Sequence, residues 1–109
     1  MKKELMFFFM ANLVRADTGL PINIWVSPRL DKYKPRIYVQ KDYKKELSTN
    51  IFSISISDNP KVHGNPGSIK DSDIEKVKEF VRINKQLLLD HWNGVEEDIV
   101  KVILSFKKV

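Results

Sequence analysis

The sequence predicts an α+β domain: an antiparallel three- to four-stranded sheet with a long helix and a shorter C-terminal helix packed on one face. Three patterns carry that prediction. Phe52, Ile54 and Ile56 alternate with Ser53, Ser55 and Ser57, the period of a half-buried strand. Ile74, Val77, Val81, Leu88 and Trp92 recur at helical spacing, and Phe80, Ile83 and Leu87 widen the stripe. Val95, Ile99, Val102, Ile103 and Phe106 share a face at the same spacing.

Taken in order, the chain begins with Lys2 and Lys3 and a continuous apolar run from Met6 to Leu13, which reads as a strand covered on both faces. Residues 1–10 also read as a loosely ordered extension, with Met10 as an alternative start. Glu4, Arg15 and Asp17 interrupt the region where an export signal would keep its apolar core, and the run is too short to span a bilayer. Asp17, Thr18, Gly19 and Pro21 mark a turn, after which Ile22, Ile24 and Val26 alternate with Asn23 and Trp25. A basic loop, Arg29 to Lys34, leads to the strand Arg36-Ile37-Tyr38-Val39-Gln40, in which Ile37 and Val39 face inward. A second polar connection runs from Lys41 to Asn50 before the serine-alternating strand.

The stretch Asp58 to Ser68, with Pro60, Gly64, Pro66 and Gly67, reads as a loop because proline removes donors and glycine favours turns. The long helix then spans Ser72–Asn93. Ser72 and Glu75 match a capping box, and Gly94 suits a left-handed cap at the far end. Burying Phe80, Val81, Leu88 and Trp92 contributes roughly 1.5–3 kcal/mol each, against a few tenths for each charged pair on the open face. Residues 96–106 have two readings. Glu96, Glu97 and Asp98 would suit a helix dipole, whereas Val100, Val102, Leu104 and Phe106 also alternate as in a strand. Helix is the reading adopted.

The 109 residues, 42% of them hydrophobic, suffice for one core and one domain, residues 1–109. The absence of cysteine removes disulfides, thiolate metal sites and a thiol nucleophile, and fits a reducing cytoplasm. His63 and His91 are the two histidines, so a metal site would lean on carboxylates; no cofactor or metal is expected. No nucleophile–base spacing, phosphate-binding loop or zinc pattern occurs. Asn84 and His91, seven residues apart on one side of the helix, read as polar groups bonded to the Asp58–Ser68 loop, with His63 their partner there.

If the inward set of the strands faces the helices, Trp25, Arg36, Tyr38, Ser53 and Ser55 share the opposite face. Around them lie Arg29, Lys32, Lys34, Lys41, Lys44 and Lys45, offset by Asp31 and Asp42, in a chain of net charge +5. Aromatic rings beside cations can stack bases and meet phosphates of single-stranded RNA. The same face covered by the Met6–Met10 segment, or by a second copy, reads as packing.

The order of Pro35-Arg36-Ile37-Tyr38-Val39, Asp73-Ile74-Glu75-Lys76-Val77 and Asn84 through Asn93, with its leucines and Trp92, resembles a small bacterial family, domain of unknown function 4160, over roughly residues 20–94. The family strand reads P-H-I-H-V, and its two histidines fall on Arg36 and Tyr38, leaving no imidazole at either position. The resemblance implies a compact α+β fold with no established activity, encoded beside another small gene in an arrangement like that of toxin–antitoxin pairs. The expected function is accordingly protein–protein interaction, with a neighbouring-gene product or a second copy as partner. The alternative is an RNA-binding module or toxin-like ribonuclease using Arg36, Tyr38 and the surrounding lysines.

Overall fold

The computed structural model describes residues 11–27, 34–42, 50–96 and 98–109. The strands are β1 (Ala11–Leu13), β2 (Ile24–Val26), β3 (Arg36–Gln40), β4 (Ile51–Ser55) and β5 (Val62–His63). The helical segments are α1 (Arg15–Thr18), α2 (Asp71–Ile83), α3 (Lys85–Trp92) and α4 (Ile99–Ser105). Each strand pairs antiparallel with the next in sequence, giving a five-stranded sheet of order β1-β2-β3-β4-β5. The α+β architecture therefore matches the prediction, with one strand more than expected. That strand, β5, lies within the stretch read as loop: Ser55 N–H donates to Lys61 O at 3.0 Å, and Ile54 and Ser53 then pair with Val62 and His63. Pro60 and Gly64 bracket it and limit the pairing. Of the predicted first strand, Ala11–Leu13 is seen; Met6–Met10 lies outside the described residues.

Alternation sorts the sheet as the sequence requires. Leu13, Ile24, Val26, Ile37, Val39, Phe52 and Ile54 join Ile74, Val77, Phe80, Val81, Leu88 and Val102 in one buried cluster, so the helices cover one face. Phe106 belongs to it too, from beyond α4: its backbone is extended (φ −63, ψ 137), and its ring meets Phe80 edge-on at 5.1 Å. The helical reading of the last segment holds because Asp98 caps it, accepting from Val100 N–H at 3.0 Å.

The predicted single helix is two. Asn84 interrupts it with φ −114 and ψ 17 while only 2% exposed. Its Nδ2 donates to Phe80 O at 3.0 Å and Lys107 O at 2.9 Å, and its Oδ1 accepts from Lys107 N–H at 2.8 Å. Phe80 O also accepts from Asn84 N–H at 3.1 Å, and Asn84 O accepts from Leu88 N–H at 3.0 Å, so the helical ladder runs through and the break lies in the backbone angles of Asn84. The expected partners, the Asp58–Ser68 loop and His63, are thus corrected: Asn84 holds the segment after α4, and His91 Nδ1 lies 3.3 Å from Glu96 O. The loop is tied to the helices through Lys85 Nζ and Asp58 Oδ1, 2.7 Å apart.

The expected capping box does not form. The helix starts at Asp71 with Lys70 at the N-cap and no side-chain cap, and Glu75 pairs with Lys78 at 3.4 Å instead. Asp71 and Asp73 still place negative charge at the positive end of the dipole. At the far end Gly94 takes φ 75, Gly94 N–H donates to His91 O at 3.2 Å and Val95 N–H to Asp90 O at 2.8 Å, a Schellman closure.

Beyond Phe106 the chain reaches α1, where Val109 N–H donates to Thr18 O at 3.0 Å. This close approach requires Gly19: with φ 77, a Cβ there would lie 2.6 Å from Val109 O.

Replacing Asn84 by leucine strands the N–H and C=O of Lys107 without their partner. Urea unfolding of Asn84→Leu is expected to show a loss of about 2–4 kcal/mol, whereas Ser72→Ala should stay within about 0.5 kcal/mol because Ser72 caps nothing.

Candidate functional site

The register aligns one row of side chains across the sheet on the face away from the helices. Asn12 pairs with Trp25, Trp25 with Tyr38, Tyr38 with Ser53, and Ser53 with His63. Arg36 pairs with Ser55 beside it. The sequence thus grouped Trp25, Arg36, Tyr38, Ser53 and Ser55 on one face as the structure does, and it missed Asn12 and His63 because neither lies in a segment with enough alternation to give its phase.

Burial along the row is uneven. Tyr38 is 7% exposed and Ser53 6%, while Asn12 and His63 at the ends are exposed and Trp25 is half-buried. A ring must offer an open face to stack a base, and Tyr38 does not. Trp25 Nε1 donates to Gln40 Oε1 at 3.2 Å. Arg36 Nε donates to Lys34 O at 3.2 Å, and Arg36, like Tyr38, makes further contacts. Ser55 Oγ accepts from Lys61 N–H at 2.9 Å and lies 3.3 Å from Ser57 Oγ, so this hydroxyl anchors β5. Lys34 is exposed and Lys41 half-buried; Arg29, Lys32, Lys44 and Lys45 lie outside the described residues.

Two features escaped the sequence reading. The first is a cleft of about 300 Å³ at the end of the β2–β3 pair, lined by Pro21, Ile22, Asn23, Gln40, Lys41, Asp42 and Ser68. Its residues come from three separate segments, so no local spacing announces it. The second is the outer face of α4, where Val100 and Leu104 are 59% and 80% exposed and Val102, on the opposite side, is 2% exposed. Their spacing of four was legible, but Val100 and Leu104 also fitted strand alternation, which hid the apolar outer face. Val95, just before α4, is also exposed.

Among the described residues, no group of three or more histidines or carboxylates is arranged to hold a metal ion, and no helix is long and apolar enough to cross a membrane.

Tyr38→Ala distinguishes a packed ring from a solvent-facing one. The burial predicts a loss of about 3 kcal/mol in chemical denaturation, where an exposed stacking residue would cost within about 0.5 kcal/mol.

No family model, curated protein or solved structure matches this chain.

Proposed function

We propose that the protein is an interaction module that acts by binding a protein partner through the outer face of α4. The observation that carries this reading is the pair Val100 and Leu104, one helical turn apart and 59% and 80% exposed, on a helix whose other side already fills the core. An amphipathic helix needs one apolar stripe to fold; a second one on the solvent side adds nothing to folding and is what a partner surface presents. Lys101 on α4 and Lys107 and Lys108 just after it are exposed, which favours a partner with acidic residues beside an apolar centre. Under the resemblance to domain of unknown function 4160, that partner is the product of the adjacent small gene, in a two-gene arrangement of toxin–antitoxin type, in the cytoplasm. Two exposed side chains make a small patch, so a standard interface of roughly 800 Å² per partner also covers neighbouring polar surface.

The RNA-directed reading has less support. Its stacking platform needs Tyr38 and Ser53 open, and both are buried.

The test is co-expression with the adjacent gene product. Wild-type chain is expected to co-purify with it, and Val100→Glu/Leu104→Glu to lose at least tenfold in recovery with an unchanged circular dichroism spectrum, since about 1.4 kcal/mol of lost apolar contact suffices. Equal recovery of the double variant would remove α4 from the interface. Binding of single-stranded RNA that falls with salt and is lost in Arg36→Ala would favour the RNA module instead.

A further inference from the structure

The cleft between β2, β3 and the turn before α2 is separate from the α4 face and shares no residue with it. Its walls combine a short apolar side, Pro21 and Ile22, with Asn23, Gln40, Lys41, Asp42 and Ser68. Three features make it more than a surface dent.

Lys41 is held along its length. Its N–H donates to Asn50 O at 2.9 Å, which continues the sheet past β3. Asn50 is fixed in turn, its Nδ2 donating to Asp42 O, and it is 4% exposed. At the other end, Gly67 takes φ 63, and a Cβ there would stand 3.3 Å from Lys41 Cδ. The turn is closed by Asn65 Oδ1, which accepts from Gly67 N–H at 2.8 Å, and by Ile69 N–H donating to Pro66 O at 3.3 Å. Gly67 thereby lets the turn lie on the lysine stem, and Ser68 follows directly onto the cleft wall.

Gln40 is oriented by Trp25. An indole N–H can only donate, so the carboxamide must present its oxygen to Trp25 and is left with its two N–H donors. Among the described residues, the side chains of Asn23, Lys41 and Ser68 have no hydrogen-bond or ion-pair partner, whereas Asp42 makes an interaction of its own. The uncommitted groups around the cleft are therefore an ammonium, two carboxamides able to donate and a hydroxyl.

We infer that this cleft binds a small monocarboxylate, with its carboxylate on Lys41 and the amide and hydroxyl donors and its short aliphatic part against Pro21 and Ile22. A volume of about 300 Å³ is at the lower end of small-molecule sites. Lys41 is the one cation of the lining and Asp42 its one anion, so a monocarboxylate meets the ammonium one to one, whereas a phosphate dianion would double the repulsion from Asp42 with the same single cation to offset it. With one charge-assisted bond and few others, affinity falls in the millimolar range.

The chain carries its own reporters. Trp25 bonds a residue of the cleft wall, and Trp92, 2% exposed and on α3, is the internal control. In ¹H–¹⁵N spectra, assigned with Trp25→Phe, titration with butyrate is expected to shift the Trp25 indole signal and saturate at about 1–10 mM while Trp92 stays still. Lys41→Gln should weaken the response about tenfold with both indole signals otherwise retained, and Ser68→Ala two- to threefold. A Trp25 signal unmoved at about 50 mM butyrate, or an equal response in Lys41→Gln, overturns the site. Inorganic phosphate binding as tightly as butyrate overturns the assignment to a monocarboxylate. None of these readouts depends on Val100 or Leu104, so failure here leaves the partner-binding reading where it stands.

Discussion

The buried carboxamide of Asn84 is the constraint on which the arrangement of the helices depends. A polar side chain 2% exposed must find partners inside the protein, and Asn84 finds them in Phe80 O and in both backbone groups of Lys107. The first bond ties the amide back onto α2 where the backbone departs from helical angles; the other two hold the strap that follows α4. With the strap held there, Phe106 reaches Phe80, and Val109 reaches Thr18 at the start of the fold. One amide thus ties the α2–α3 junction to the segment after α4. Removing it exposes no new apolar surface directly, yet it leaves the part-buried N–H and C=O of Lys107 without their partner, which is the costlier defect.

The sheet supplies the rigid part of the molecule, and its two faces have different fates. The inner face is continuous with the helical core from Leu13 to Phe106. The outer face carries the row from Asn12 to His63, closed at its centre and open at its ends. A closed centre moves attention to the margins of the fold. There, the turn built on Gly67 rests against Lys41, and α4 shows an apolar side to solvent. Loops and short elements placed by a rigid sheet are where binding groups commonly collect.

The two proposed surfaces also differ in what holds them. α4 is seven residues long, capped by Asp98 and anchored through Val102, so its outer side chains are free of structural duty. The cleft is defined by backbone bonds at Asn50 and Gly67 and by the Trp25–Gln40 pair, so its shape depends on the sheet ending where it does.

What the sequence by itself determined were the features with a period. Alternation in Arg36–Gln40 and Ile51–Ser55 sets which side chains share a face, because a strand leaves no freedom once its phase is known. The apolar stripe from Ile74 to Trp92 and the left-handed turn at Gly94 are equally local. Tertiary structure decided what depends on residues distant in sequence. Asn84 had the look of a helix-face polar residue, and only Lys107, far along the chain, reveals it as a break. Ser72 and Glu75 had the right spacing for a cap, but the helix begins at Asp71 with Glu75 turned to Lys78. Tyr38 and Ser53 were on the predicted face, and their burial is a property of everything around them rather than of their alternation. Lys41 met Gly67 and Ser68 across two intervening strands, β4 and β5, and a closing turn. Period is a property of neighbours in the chain, whereas cover, clefts and buried partners belong to neighbours in space.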